Sequence, residues 1–301
     1  MTTRLRTLDL RMTDGRALRA YDSGAAGVPD GPAPADAGHD LVAVWCHGTP
    51  NLGMPPEPLM TVARELRLRW VGYDRPGYGG SDPLPGRTVA DAGHDVAAVL
   101  DALGAERCLV VGHSGGGPHA LAAAAALPDR VAAAVVVSSL APHDAPGLDW
   151  FAGMSATGQE VLTAAEHGRA ARLAHVERAD AEPIFVQRDL DALAGPWSWF
   201  MDVVEPALAG DPAGAADDDV AYVTPWGFAP DAVVQPVLVV HGGADLVAPA
   251  SHARWLAARL PRAELWVEAD DGHVSVLRRA DDALRWAARA AGVLPGAPAR
   301  S

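Results

Sequence analysis

The chain has 301 residues, 49% hydrophobic and 21% charged, which suits one large globular domain or two modest ones. Its net charge of −14 opposes binding to nucleic acids and to anionic membrane surfaces, because both are negatively charged. No apolar run approaches the ~20 residues needed to cross a bilayer, and residues 1–17 have no apolar signal core, so we expect a cytoplasmic protein.

Strand-like and helix-like segments alternate along the first part of the chain. A hairpin is predicted first, with strands at 7–12 and 17–24 and its turn at Asp14-Gly15. Further strands are predicted at 41–48, 70–77, 108–113 and 131–140. The helices between them are predicted at 58–69, at 88–104 with Thr88 as N-cap, and directly after Ser114.

The alternation stops between about residues 142 and 230, a stretch with a helical pattern. The stretch PVLVVHGGAD at 236–245 begins with a strand and restores the alternation, followed by a helix at 249–260, a strand at 263–269 and a helix over 275–292. Repeated β–α units predict an α/β protein with a mostly parallel sheet and helices on both faces. The interruption predicts a helical insertion in one domain rather than a linker between two.

The two cysteines, Cys46 and Cys108, fall in two of the predicted buried strands. One lies near the end of its strand and the other at the start, so the two side chains are expected at different heights even if the strands are neighbours. We therefore predict two buried thiols and no disulfide.

Ser114 follows a predicted strand within the stretch GHSGG at 112–116. A strand that turns sharply into a helix brings the residues two before and two after the turn together, and Gly112 and Gly116 occupy these positions. The residue between them is held in a strained backbone conformation, and its side chain projects clear of the sheet. The pattern predicts Ser114 as a nucleophile, with the N–H of Gly115 beside it as an anion donor.

A nucleophilic serine needs a base and a carboxylate that orients the base. In an open parallel sheet the reacting groups gather at the carboxyl ends of the strands. Asp245 and His273 each follow a predicted strand, and they follow Ser114 in the order typical of this architecture. We predict His273 as the base and Asp245 as the acid, with Asp144 as an alternative acid. Four other histidines fall in helical patterns and are predicted to be surface residues: His94, His167, His175 and His252.

The stretch HGTP at 47–50 lies at the end of the strand predicted at 41–48, after residues 41–46. Acyl transfer needs N–H donors for the developing oxyanion, each worth about 3 kcal/mol of transition-state stabilisation. Gly115 is expected to supply one donor, and the loop after this strand the other, from Thr49.

Five stretches resemble motifs of the α/β-hydrolase superfamily in the right order: HGTP (47–50), DRPGYGGSDP (74–83), GHSGGGPHALA (112–122), HGGAD (241–245) and DGHVSV (271–276). The resemblance covers nearly the whole chain apart from the insertion. It implies an eight-stranded, mostly parallel sheet flanked by helices, with a core domain of 1–141 and 231–301. It also implies a helical cap at 142–230 inserted after the sixth strand, a triad of Ser114, Asp245 and His273, and no metal or organic cofactor.

Ser114 separates this chain from the haloalkane dehalogenases and epoxide hydrolases of that superfamily, which use an aspartate at the same turn. The predicted function is a serine hydrolase that cleaves an ester-like bond (carboxylester, lactone, thioester or amide) of a small apolar substrate through an acyl-enzyme. Two alternatives use the same triad: a non-hydrolytic enzyme, such as a cofactor-free lyase, oxygenase or perhydrolase, and a slow-turnover ligand receptor. We expect a small-molecule substrate and a monomer or homodimer.

The insertion contains all four phenylalanines and four of the nine tryptophans. A lid over Ser114 needs an apolar underside that excludes water and holds a substrate. Some of these rings are expected to form the insertion's own core. We predict that others line the substrate pocket, namely Trp197, Trp199, Phe200 and Trp226.

Overall fold

The computed structural model describes residues 5–24, 41–175 and 183–293. The predicted loop at 25–40, part of the predicted cap at 176–182 and both chain ends lie outside these residues. None of the described helices is both long and apolar enough to cross a membrane.

Eight strands form one sheet. They are β1 (Arg6–Arg11), β2 (Ala17–Asp22), β3 (Leu41–Cys46), β4 (Leu68–Tyr73), β5 (Cys108–His113), β6 (Val131–Val137), β7 (Val237–Gly242) and β8 (Ala263–Glu268). The order across the sheet is β1-β2-β4-β3-β5-β6-β7-β8. The opening hairpin pairs antiparallel within itself and with β4, and all other neighbours are parallel. The predicted fold class is therefore confirmed.

Ten helices accompany the sheet. They are α1 (Met60–Glu65), α2 (Ala92–Ala102), α3 (Gly116–Ala126), α4 (Ala156–Glu166), α5 (Arg169–Ala174), α6 (Gln187–Ala194), α7 (Phe200–Leu208), α8 (Ala213–Val223), α9 (Ala250–Arg259) and α10 (Ala280–Ala290), counted over the described residues. One hydrophobic core includes side chains of α2, α3 and α9, and a second includes side chains of α1 and α10. The central strands β5 and β7 are buried along their whole length, which explains their continuous apolar sequence.

Helices α4 to α8 all lie in the connection between β6 and β7. We call residues 138–236 the β6–β7 segment; it includes the stretch predicted as a cap. The carboxyl ends of β3, β5, β7 and β8 all lie at one edge of the sheet because these strands are parallel. The loops that follow them can therefore meet there, as the sequence predicts for Thr49, Ser114, Asp245 and His273.

The two cysteines lie on adjacent strands at different heights, since Cys46 pairs with Gly112 and Cys108 with Val42. Both thiols are free and buried. Burial raises the pKa of each to about 12. The prediction of two buried, unlinked thiols is confirmed.

Candidate active site

The turn from β5 into α3 holds Ser114 in a left-handed backbone conformation, with φ of 55°. The Ser114 N–H donates to the carbonyl of Val137 at 2.9 Å, and the Ser114 carbonyl accepts from the N–H of Gly117 at 2.9 Å. A Cβ at Gly112 would overlap the carbonyl of Gly116, so the chain passes through this turn only because both residues lack side chains. The predicted contact between the two glycines is present.

His273 and Asp245 are brought together from the ends of β8 and β7. Their Nδ1 and Oδ2 atoms lie 2.8 Å apart, and both side chains are almost completely buried. The other carboxylate oxygen of Asp245 accepts the N–H groups of Val247 and Ala248 at 2.8 and 2.9 Å. Burial alone would raise the pKa of Asp245, but the imidazoles of His273 and His241 together outweigh it and hold that pKa well below its usual range. Asp144, the alternative acid, is exposed and lines a different cavity.

His273 also lies against the strand that carries Ser114. Its carbonyl oxygen accepts from Ser138 Oγ at 2.9 Å and from His113 Nε2 at 3.1 Å, and the two histidine rings are 5.1 Å apart. No hydrogen bond joins the Ser114 hydroxyl to His273 within the described part of the chain. Catalytic hydrogen bonds of this kind tighten in the complex with substrate.

The loop after β3 packs directly on the serine. A Cβ at Gly48 would lie 3.4 Å from Cβ of Ser114, and the peptide bond between Thr49 and Pro50 is cis. Arg75 fixes this loop from below, because its guanidinium donates to the carbonyls of His47 and Gly48, the latter at 3.0 Å. The backbone of Thr49 is thereby held beside Ser114.

A buried carboxylate from α8 ties the same loop to the β6–β7 segment. Oδ2 of Asp218 accepts from Thr49 Oγ1 and from Arg75 Nη2, both at 2.6 Å. It also accepts from the Tyr78 hydroxyl at 2.7 Å, and Oδ1 lies 2.7 Å from Nη1 of Arg87. Burial would raise the pKa of Asp218, but the two guanidiniums hold it well below its usual range. We call Asp218, Arg75 and Arg87 the arginine–aspartate cluster; its net charge is positive.

A second carboxylate of the β6–β7 segment holds the loop of His273. Asp189, on α6, is 1% exposed. It accepts the N–H of His273 at 3.0 Å, that of Val274 at 2.9 Å, and both the N–H and the hydroxyl of Ser275 at 2.8 Å. A Cβ at Gly272 would overlap the Asp189 carboxylate, so the glycine before His273 makes room for it.

A cavity of about 360 Å³ opens above Ser114, Gly115 and Thr49. Its walls are mainly aliphatic and come from α4, α5, α7 and α8, including Val161, Leu162, Leu173, Leu208 and Ala216. Leu173 and Leu208 are 39% and 67% exposed, which places them at its mouth. The cavity is therefore mainly apolar, with the serine on its floor, and Arg172, Asp211 and Asp219 add charged groups to its lining. The described residues contain no group of three or more His, Cys, Asp or Glu arranged for a metal ion.

The family model for the alpha/beta hydrolase fold matches residues 44–280, most of the chain. The chain belongs to that family. The superfamily resemblance drawn from the five sequence motifs is thereby confirmed.

Relatives of this hydrolase-fold chain have several activities. It is 32% identical over 214 residues to the dihydrolipoyllysine-residue acetyltransferase component of an acetoin cleaving system from Cupriavidus necator, covering 70% of this chain and 53% of that protein. It is 32% identical over 223 residues to the putative carbamate hydrolase RutD of a Caulobacter species, covering 69% and 74%. The chain thus spans about half of the first relative and three quarters of the second.

Solved structures of the same fold are also similar. A thermophilic esterase from Thermogutta terrifontis has a TM-score of 0.64 and 21% identity, with 96% of this chain and 99% of that chain covered. At this identity the likeness shows the fold alone.

The rings predicted to line the pocket do not lie among the described residues that line the cavity above Ser114. Trp197, Trp199 and Phe200 belong to the core on the α1 and α10 face, where Trp199 meets Trp45 edge-on at 6.4 Å. Trp226 lines a second cavity on the opposite side. All four rings are buried in the two hydrophobic cores, so they pack there instead of lining the cavity above Ser114.

Several residues near the site were missed by sequence reasoning. The ring of Phe185 stacks on His273 with centroids 6.4 Å apart, and two tyrosines, Tyr78 and Tyr222, line the cavity floor. Neither Asp189 nor Asp218 has a local motif, since their partners are far away in sequence.

Four histidines were predicted to be surface residues, and for His252 this prediction is wrong. This histidine is fully buried and bonds the N–H of Ala141 at 3.0 Å.

Proposed function

We propose that this chain is a serine hydrolase that cleaves an ester-like bond of a small apolar substrate through an acyl-enzyme. The observation that carries the proposal is the 2.8 Å bond between His273 and Asp245, together with a serine on a left-handed turn at the floor of a mainly apolar cavity. The putative carbamate hydrolase among its relatives supports hydrolysis as the type of reaction.

In the proposed reaction Ser114 Oγ attacks the substrate carbonyl, and its proton passes to Nε2 of His273. The carbonyl electron pair moves to oxygen, and the N–H groups of Thr49 and Gly115 stabilise the resulting oxyanion. Collapse expels the leaving group, which takes the proton from His273. Water then attacks the acyl-enzyme with His273 as base and releases the acid. Asp245 fixes the imidazole with Nδ1 protonated throughout.

The aliphatic walls favour an acyl or alcohol group without a large aromatic ring. A fluorophosphonate probe should label Ser114, and a panel of 4-nitrophenyl esters from acetate to octanoate should show multiple turnovers. Ser114→Ala should lose labelling and lower kcat by on the order of 10⁶-fold with an unchanged Tm. Near-normal hydrolysis by this variant would refute the nucleophile, whereas labelling without turnover would favour the receptor alternative.

A matched pair of variants tests the acid. Asp245→Asn should lower kcat by on the order of 10⁴-fold, because the amide cannot hold the imidazole in the required tautomer. Asp144→Asn should leave kcat within about twofold, because its side chain is exposed at another cavity. The reverse result would move the acid to the end of β6.

A further inference from the structure

Tyr222 places a hydroxyl next to Thr49 and Gly115, the two residues proposed to donate to the oxyanion. It is 2% exposed, and its side chain reaches the cavity floor from α8. Its hydroxyl lies 2.8 Å from Thr49 Oγ1. A Cβ added to Gly115 would overlap this hydroxyl and lie 2.8 Å from Thr49 Oγ1. The glycine thus keeps open a space shared by Ser114, Thr49 and the tyrosine hydroxyl.

The direction of the hydrogen bond between Tyr222 and Thr49 follows from the neighbouring aspartate. Asp218 is held as a carboxylate by two guanidiniums, so it only accepts hydrogen bonds. The single hydroxyl proton of Thr49 is therefore donated to Asp218, at 2.6 Å. In the remaining bond Tyr222 must be the donor and Thr49 Oγ1 the acceptor.

The Tyr222 proton can leave this bond at low cost. Thr49 Oγ1 also accepts from Nη2 of Arg75 at 3.0 Å, so it keeps a donor when Tyr222 turns away. Rotation of one C–O bond is enough to redirect the hydroxyl. Burial raises the pKa of Tyr222 far above its usual value, so the hydroxyl stays protonated.

We propose that Tyr222 is a third oxyanion donor, whose hydroxyl turns from Thr49 to the negative oxygen of the tetrahedral intermediate. This inference rests on the proposed serine mechanism. When Ser114 Oγ bonds to the carbonyl carbon, the electron pair that moves to oxygen attracts the Tyr222 O–H in addition to the N–H groups of Thr49 and Gly115. No proton is transferred by Tyr222, which returns to Thr49 when the intermediate collapses.

The test compares a tetrahedral ligand with a planar substrate in wild type and Tyr222→Phe. Butane-1-boronic acid forms an anionic tetrahedral adduct with an activated serine, which can be followed by ¹¹B NMR without turnover. The KM and kcat for 4-nitrophenyl butyrate report the planar ester and its reaction. Tyr21→Phe is the matched control, because it loses a hydroxyl bonded to Asp74 at 3.0 Å outside the cavity.

For Tyr222→Phe we expect kcat to fall by on the order of 10²-fold with KM within about twofold, because one donor to the transition state is lost. The inhibition constant for the boronic acid should rise by a similar factor. Tyr21→Phe should change neither quantity. A merely structural role of Tyr222 would instead lower Tm and shift KM and the boronate constant together.

Unchanged boronate affinity in Tyr222→Phe would overturn the inference, and so would faster turnover, which would mean that the hydroxyl obstructs the oxyanion position. Failure of the proposed function looks different. If the serine mechanism is wrong, the wild type forms no boronate adduct and takes up no fluorophosphonate label at Ser114. The proposal of a third oxyanion donor is then wrong as well.

Discussion

The loop of His273 and the loop of Thr49 are both held by an aspartate of the β6–β7 segment, but by different chemistry. Asp189 binds the histidine loop through three backbone N–H groups and one hydroxyl, all uncharged. Asp218 binds the loop of Thr49, the proposed oxyanion loop, within a buried cluster that includes two guanidiniums. Both carboxylates are 1% exposed or less.

The two aspartates differ in which groups are left around the side chain when the carboxylate is replaced by an uncharged amide. Around Asp189 only neutral donors would be left, and an amide can still accept some of them. Around Asp218 two desolvated cations would face one another without a counter-charge, which is costly in a protein interior. The oxyanion loop should therefore depend on charge balance, and the histidine loop on hydrogen-bond geometry.

The largest effect is expected for Asp218→Asn. Breaking a buried ion pair costs roughly 3–5 kcal/mol in the free energy of unfolding, because the partner charges stay buried. Urea unfolding measures this change. Asp101→Asn is the control, because Asp101 is 70% exposed beside Arg130 and its loss should change the free energy of unfolding far less.

A double variant sharpens this test. Asp218→Asn combined with Arg87→Met removes one cation together with the anion, so the cluster keeps the net charge that it has in the wild type. The double variant should therefore be more stable than Asp218→Asn alone, although it lacks more contacts. Additive losses would show that hydrogen bonds rather than charge balance hold the oxyanion loop.

Asp189→Asn should have a smaller effect on stability, about 1–3 kcal/mol, because one oxygen still accepts while the amide faces an N–H of the histidine loop. If His273 shifts with this loop, kcat should fall by about tenfold while KM stays constant. Asp191→Asn, an exposed position on the same helix that accepts from Gln187, should change neither quantity. A kcat equal to wild type in Asp189→Asn would contradict the anchoring role.

The smallest effect on stability is expected for Asp219→Asn, and it has the opposite sign, because this variant should be more stable than the wild type. Burial raises the pKa of Asp219 to about 6, and its single partner, Arg172, does not balance this. An unfolded aspartate titrates near ~3.9. The folded protein therefore holds a proton that the unfolded chain has released between about pH 4 and 6, and stability falls as pH rises through this window.

Above pH 6 the wild type thus retains the cost of a buried charge, which asparagine lacks. Asp219→Asn should be more stable than wild type at pH 7 by on the order of 2 kcal/mol. The advantage should vanish near pH 4. Asp95, whose pKa burial also raises to about 6, should leave part of the pH slope in the variant. Lower stability of Asp219→Asn at pH 7 would mean that the pair with Arg172 outweighs burial.

Sequence reasoning succeeded where a side chain's position follows from its own strand and turn. Ser114, Asp245, His273 and Thr49 each follow a parallel strand, so the fold alone brings their loops to one edge of the sheet. Several boundaries were wrong: the helix predicted over 58–69 ends at Glu65, and β4 begins at Leu68 after a left-handed turn. The strands predicted over 70–77 and 131–140 end at Tyr73 and Val137.

Sequence reasoning failed where the position of a side chain depends on partners that are distant in the chain. The run of three aspartates at 217–219 has the composition of a solvated helix face, yet all three are buried. Successive residues on a helix point about 100° apart, so the three reach different arginines. These partners are Arg169 and Arg172 on one side, and Arg75 and Arg87 of the core on the other. No local spacing encodes such pairs.

The placement of Asp189 and Asp218 limits how the β6–β7 segment can be exchanged between related proteins. This segment supplies most of the cavity wall, so a chimera with a foreign segment is an obvious way to change substrate range. A foreign segment without carboxylates at these two positions would leave Arg75 and Arg87 buried without their counter-charge and would no longer hold the loop of His273. The inserted helices are therefore not an interchangeable module, and a working chimera must carry both aspartates with it.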